Sequence, residues 1–343
     1  MRSGADLYFN RSKQVILDNP DLDTWVRYKI FIRSPSLCAI APAKRWLKES
    51  TNLDSLQLTP MFNEGDYVDS GKVLATLEGK LSQLINVETE LLQKIGSVGA
   101  SAYCGKKLVE AAGEIPLIDM HARHNSSSSA AIDITYAAKL AGFQSTSIEN
   151  PWKLPVVGTM PHALIGAFGS TVEAAEAFHS SFPDVPLVVL VDYYGKELTD
   201  AVECFKTFGK DLYAVRIDTP GERQCEGTLG YDAAKEMYGH DNAGYRYGKG
   251  VTIESVFRLR RALDEAGGHK VKIVVSSGFS QDKIREFKKY FTPMDIIGTG
   301  GWPVNPFKNT ATADITEYDG KWQTKVGREW LNSSGLLNRS SSR

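Results

Sequence analysis

Hydrophobic and polar positions follow two different rhythms along this chain. In the first part, residues 24–33 (TWVRYKIFIR) alternate and predict a strand with one solvated face. Residues 5–18 (ADLYFNRSKQVILD) predict a helix. It offers Leu7, Val15 and Leu17 to a core and carries Tyr8 and Arg11, three apart, on neighbouring faces. Turn signals at Asn63-Glu64-Gly65-Asp66 and Asp69-Ser70-Gly71-Lys72 predict further β structure over 54–79, with 65–79 reading as a small sandwich module. From Leu81 to Ala112 the period becomes helical, with Leu84, Val87, Leu91, Ile95 and Val98 on one stripe.

From Ile115 onward, short apolar, β-branched runs alternate with helical patterns. The runs predict strands at 115–120, 154–158, 186–192, 212–218, 271–276 and 294–298. Helices are predicted at 128–141, 171–181, 197–208, 251–266 and 281–290, the second opening on the capping-box pair Ser170 and Glu173. Such strands suit a parallel sheet covered on its faces. The repeated βα units predict an irregular, TIM-like α/β barrel, with an open doubly wound sheet as the alternative. Residues 310–330 read as a hairpin turning at Asp319-Gly320. The expected organisation is an N-terminal α+β domain over 1–112 and a barrel over 113–309. A hairpin over 310–331 then packs back on the N-terminal domain, and a disordered tail covers 332–343.

Composition narrows the function classes. The 343 residues carry a formal net charge of -1, so no bulk attraction to nucleic acid or anionic lipid is expected. No apolar run reaches the roughly 18 residues that span a bilayer, and no secretory h-region opens the chain. The four cysteines are scattered without a CxxC, which suits reduced thiols in the cytoplasm.

Chemistry-bearing residues gather where the predicted strands end. In a parallel α/β fold those ends share one face: Asp119 to Arg123, Gly158-Thr159, Asp192, Arg216 with Asp218, Ser276-Ser277-Gly278, and Gly298 to Gly301. The two Gly-rich loops, on consecutive strands, can expose N–H groups to an anion, although either alone could be a tight turn. Arg123 and Arg216 suit a carboxylate or phosphate clamp, or stacking on an aromatic ring. Asp192 and Asp218 suit ribose hydroxyls or, through water, Mg²⁺. Taken singly, each could equally be an ion pair of the rim. The run 154–157 predicts a buried strand that delivers Thr159 and His162 to the sheet edge. His162 could be a base, a nucleophile, a phosphate ligand or simply structural; His121 and His124 are further candidates. No Walker loop, GxGxxG, GxSxG or HExxH is present.

Beyond single residues, GTMPHALIGAFGSTVEAAEAF (158–178) resembles the nicotinate phosphoribosyltransferases, especially their short archaeal-type form. The likeness continues, in order, through ADLYFNRSKQVIL, ETELLQKI, ITYAAKLAGFQSTS, LVD, AVRIDTPGER, KIVVSSGF, DIIGTGG and DITEYDGKWQTKVGR. It implies a type II phosphoribosyltransferase with a homodimer, or a higher assembly, whose active sites are completed across the interface. The implied reaction joins nicotinate and 5-phosphoribosyl 1-diphosphate, with Mg²⁺, to give nicotinate mononucleotide and diphosphate in NAD salvage. ATP is added in members that phosphorylate the histidine matching His162. By the same resemblance Arg216 lies against the pyridine ring and Asp218 holds ribose hydroxyls. Gly278, Gly300 and Gly301 wrap the 5′-phosphate, and Ser277 and Thr159 stand among the candidate substrate-binding residues. Arg123 contacts phosphate or the carboxylate, and Tyr8 reaches the partner's site. Ser147 stands where nicotinamide-specific relatives carry an aspartate, which favours an anionic base. The chain departs from the family after the first barrel strand: Met120 to Ser127 replace an aromatic, a second arginine and a histidine. Another base (nicotinamide or quinolinate), or a non-catalytic paralogue that binds phosphoribosyl ligands, are the alternatives.

Overall fold

A computed structural model describes residues 6–50, 56–147, 150–158, 160–238, 245–303 and 311–335. In chain order the first elements are α1 (Leu7–Asp18), β1 (Trp25–Ile32), β2 (Ser36–Leu37), α2 (Ala41–Ser50), β3 (Gln57–Pro60), β4 (Tyr67–Val68), β5 (Val73–Lys80), α3 (Leu81–Leu84) and α4 (Glu88–Ala112). Next come β6 (Leu117–Asp119), α5 (Ser128–Ala141), β7 (Gln144–Ser145), α6 (His162–Phe168), α7 (Thr171–Ser181), β8 (Leu187–Leu190) and α8 (Glu197–Phe208). The last are β9 (Leu212–Ile217), α9 (Tyr231–Tyr238), α10 (Ile253–Glu265), β10 (Lys272–Val275), α11 (Gln281–Lys289), β11 (Ile296–Thr299), β12 (Ala311–Tyr318) and β13 (Lys321–Trp322).

The chain divides into two compact units, one of residues 1–106, 126–141 and 303–343, the other of 107–125 and 142–302. The first holds an antiparallel sheet in the order β13-β12-β1-β5-β3, and a separate pair β2-β4 stands where a sandwich was expected. In β1, Val26, Tyr28 and Ile30 are buried at alternate positions, as its pattern predicts. They pack against the α3–α4 stripe Leu84, Val87, Leu91 and Ile95. Each such buried side chain contributes about 1.5–3 kcal/mol. The hairpin turns at Asp319 (φ 48) and Gly320 (φ 76), the double positive φ that a two-residue β turn demands. β12 then pairs antiparallel with β1, from Val26 opposite Tyr318 to Ile32 opposite Ala311.

Several expectations change here. In α1 only Ile16 is buried, while Leu7, Val15 and Leu17 lie exposed. α5, expected within the barrel, groups with the first unit. Asp133 pairs with Lys94 at 2.8 Å and the Tyr136 hydroxyl donates to Glu64 at 2.9 Å, both partners belonging to that unit. Residues Glu329–Gly335 form a short 3-10 helix that runs from the end of the expected hairpin segment into the expected tail, and 336–343 lie outside the described residues.

The second unit is the parallel sheet, ordered β7-β6-β11-β10-β9-β8. That order is the chain order closed on itself, the connectivity of a barrel, with one seam left open beyond β8. The helices predicted at 128–141, 171–181 and 197–208 match α5, α7 and α8 in extent. Ser170 accepts from the Glu173 N–H as an N-cap should. The predicted strand 154–158 is reduced to a single bridge, Val156 to Ser145. Pro155 has no N–H to give a ladder, and Val156, 51% exposed, finds no apolar cover. This stretch is the rudiment of a strand at the open seam. No helix among the described residues is long and apolar enough to cross a membrane.

Candidate active site

Within the second unit the C-terminal ends of β8, β9 and β10 bring four predicted or adjacent polar residues together. Arg216 leaves β9 with its Nε donating to Ser276 Oγ at 2.9 Å and its Nη2 to Asp218 Oδ2 at 2.9 Å. Ser276 Oγ also reaches Asp218 Oδ1, at 2.8 Å, closing a triangle across two parallel strands. The strand register makes this possible: Val275 lies opposite Ile217, so the next residues of each chain emerge side by side. A planar guanidinium held at two of its nitrogens keeps one face free to stack.

His162 arrives by a different route from the one its sequence suggests. It opens helix α6 after Pro161 and is not delivered by a strand. Its Nε2 lies 3.2 Å from each carboxylate oxygen of Asp192, just past β8, and its ring is 43% exposed. Asp192 is buried, which raises its pKa; the adjacent imidazole pulls it back and Asp218 pushes it further up. The Val191 N–H donates to the Arg216 carbonyl at 3.1 Å, so Asp192 follows β8 beside the strand that carries Arg216. Below them, Glu197 is fully buried, pairs with Arg223 at 2.6 Å and accepts from Thr219 at 2.8 Å and the Glu226 N–H at 2.9 Å. Arg223 also donates to the Asp192 carbonyl. The loop after β9 is thus pinned under the Asp192 corner. Arg223 lies within the motif TPGER, but nothing in its spacing singles it out.

The ends of β6, β7 and β11 form a second, drier cluster. Asp119 accepts from the His121 N–H at 3.0 Å, from His121 Nδ1 at 2.6 Å and from Trp302 Nε1 at 2.7 Å. Ser145 Oγ approaches it at 3.3 Å and in turn accepts from the Ser147 N–H at 3.1 Å. Asp119, His121, Ser145 and Trp302 are all buried. Trp302 stacks on Phe143 with ring centroids 4.8 Å apart. The sequence gives no sign of Trp302 beyond its place after the Gly-rich loop. Ser147, predicted to face the base, is therefore held indirectly by Asp119.

Of the other predicted residues, Arg123 stands exposed in a short turn, its Nε 3.4 Å from His124 Nε2. Tyr8 belongs to the first unit; it is 60% exposed and its hydroxyl donates to Asp6. Thr159 lies outside the described residues. The two Gly-rich loops differ in kind. Gly300 must be glycine because a Cβ there would lie 2.7 Å from the Met120 carbonyl and 2.9 Å from His124 Nε2, whereas a Cβ at Gly301 would meet nothing. In the other loop Ser277 (φ 73) and Gly278 (φ 69) are both left-handed, which costs roughly 1 kcal/mol at the serine. The left-handed pair turns the chain sharply into α11, whose N-cap is Ser280.

No protein-family model matches the chain. Nicotinate phosphoribosyltransferase pncB2 of Mycobacterium tuberculosis is 28% identical over 249 residues, 70% of this chain and 47% of that protein. The nicotinate phosphoribosyltransferase of Bacillus subtilis is 25% identical over 269 residues, 75% of this chain and 49% of its own length. The chain therefore spans about half the length of the curated relatives it matches. Among solved structures, nicotinate-nucleotide pyrophosphorylase from Pyrococcus furiosus superposes with a TM-score of 0.73 at 25% identity, over 94% of this chain and 77% of that one. Human nicotinic acid phosphoribosyltransferase shares the fold at a TM-score of 0.66 and 16% identity, over 93% of this chain and 75% of its own. By these likenesses the chain resembles the nicotinate phosphoribosyltransferases in sequence and shares the α/β fold of these solved structures.

Proposed function

We propose that this protein joins nicotinate to 5-phosphoribosyl 1-diphosphate, giving nicotinate mononucleotide and diphosphate in NAD salvage. The observation that carries the reading is the Arg216–Asp218–Ser276 triangle beside the His162–Asp192 pair, on neighbouring strand ends of a parallel sheet. In this reaction the pyridine nitrogen attacks C1 of the ribose, the C1–O bond to diphosphate breaks, and its electron pair leaves with the diphosphate. The nucleophile needs no base. The site must instead align two reactants and tolerate positive charge at C1. In this reading Arg216 covers the ring, and Asp218, held by Arg216 and Ser276, accepts from ribose hydroxyls. Gly278 and Gly301, both exposed, are the parts of the Gly-rich loops open to a phosphate.

Mg²⁺ enters this reading with the substrate. Among the described residues no three His, Cys, Asp or Glu side chains gather as a cation site. Asp192 and Asp218 are the carboxylates that could meet the ion through water, as suits a cation that keeps its own hydration shell. It would neutralise the departing diphosphate. ATP coupling through phosphorylation of His162 belongs to the same proposal, as does a cytoplasmic homodimer. The exposed Leu7, Val15 and Leu17 of α1, beside Tyr8, suit a helix that a second copy covers. One observation favours a second reading with another base, nicotinamide or quinolinate: Arg123 is exposed and takes no part in the Arg216 triangle.

The test is diphosphate release from purified protein, donor and Mg²⁺, with each base in turn, with and without ATP. Release with nicotinate is expected. Release with nicotinamide or quinolinate alone would replace the substrate, and no release with any base would sink the enzymatic reading.

A further inference from the structure

Lys283 stands in the first turn of α11 and is buried. Its Nζ donates to the Ser277 carbonyl at 3.0 Å and lies over the Phe279 ring, 4.4 Å from the centroid, with the Phe287 ring at 5.6 Å. Burial lowers its pKa to about 8. A lysine ordinarily runs its stem along apolar surface and delivers its charge to water. This one directs it at a single backbone oxygen and two aromatic faces.

The oxygen it holds is in a special place. Ser277 carries a side chain yet is left-handed, and Gly278 continues the turn. Among the described residues the N–H groups of Ser277 and Gly278 make no hydrogen bond. Consecutive unpartnered N–H groups in a tight turn form an anion cradle, and a cation tied beneath the same turn adds to its positive field.

We propose that Lys283 is a positioning residue for the phosphoribosyl donor: its ammonium clamps the Ser277 carbonyl and so keeps the left-handed turn, with its free N–H groups, ready for the 5′-phosphate. It acts through the turn and does not touch the phosphate. The inference rests on reading this face as a phosphoribosyl site.

The experiment is calorimetric titration of the full chain with 5-phosphoribosyl 1-diphosphate and Mg²⁺, together with steady-state kinetics. The proteins are wild type, Lys283→Met, Lys283→Arg and the double variant Lys283→Met/Ser277→Gly. Lys283→Met should weaken donor binding and raise its KM by about tenfold while kcat at saturation stays within about twofold. Lys283→Arg, which keeps charge and donor, should stay within about threefold of wild type. The double variant should regain most of the loss, because glycine adopts the turn without a clamp. A wild type that binds while Lys283→Met binds equally well overturns this role alone. A wild type that does not bind the donor overturns the reading of the site, and this role with it. Should Met at 283 prevent folding, Lys283→Arg decides, and a loss of about tenfold or more in that folded variant overturns the proposal.

Discussion

The two sides of the strand-end face use charge in opposite ways. At β8, β9 and β10, polar and ionic side chains of neighbouring strand ends interlock at the rim, and His162 keeps its ring half in solvent. At β6, β7 and β11, Asp119 is sealed inside and saturated by Trp302, His121 and Ser145. The first arrangement leaves a guanidinium face and a ring nitrogen for something to bind. The second has directed its donors inward and serves to fix the turns around Ser147 and Gly300. A reactive site needs groups whose partners do not exhaust them; a scaffold needs the reverse.

That contrast can be broken by substitution. The largest effect is expected from Arg216→Ala: turnover should fall by about 10²–10³, with melting temperature little changed, if the rim carries the chemistry. Near-normal turnover in that variant would remove Arg216 from the site, and Arg123→Ala, on the exposed turn, should cost far less.

On the buried side the readout is stability. Asp119→Ala leaves Trp302 Nε1 and the His121 ring without their acceptor, so denaturant unfolding should report a loss of about 3 kcal/mol. A loss below that of an ordinary surface substitution would mean water replaces Asp119 and the cluster is not dry. Trp302→Phe keeps the stacking on Phe143 but removes one donor, and should cost about 1–2 kcal/mol.

The smallest effect is a pH dependence. Burial holds the Asp192 pKa above its ordinary 3.8, so the folded protein retains that proton to higher pH than the unfolded chain does. Its contribution to stability therefore declines as pH rises from that ordinary value through the folded one. Asp192→Asn should flatten the stability profile in this acidic window, by less than about 1 kcal/mol after allowance for the half-exposed histidine beside it. An unchanged profile would show that Asp192 titrates as it does in the unfolded chain.

Much of the fold is legible in the sequence because it is written in local period. The stripe from Leu84 to Val98 and the extents of α5, α7 and α8 follow from the 3.6-residue repeat and from caps such as Ser170. The double positive φ at Asp319-Gly320 follows from turn chemistry. The misreadings fall where period gives way to context. The run 154–157 looks apolar enough for a buried strand, but one missing N–H at Pro155 and an open seam leave Val156 in solvent. α1 looks like a core helix, yet Leu7, Val15 and Leu17 are exposed.

The site divides along the same line. The order of strands and loops, and hence the gathering of Arg216, Asp218, Asp192 and the Gly-rich turns at one face, is determined by the sequence alone, because a parallel βα repeat sends every strand end the same way. Which of those groups touch is decided only by tertiary structure. The register of β9 against β10 puts Ser276 between Arg216 and Asp218, the start of α6 brings His162 to Asp192, and the burial of Trp302 commits Asp119 to the scaffold. Partners separated by dozens of residues leave no local pattern, since hydrogen-bond geometry depends on distances of a few ångströms that only packing fixes.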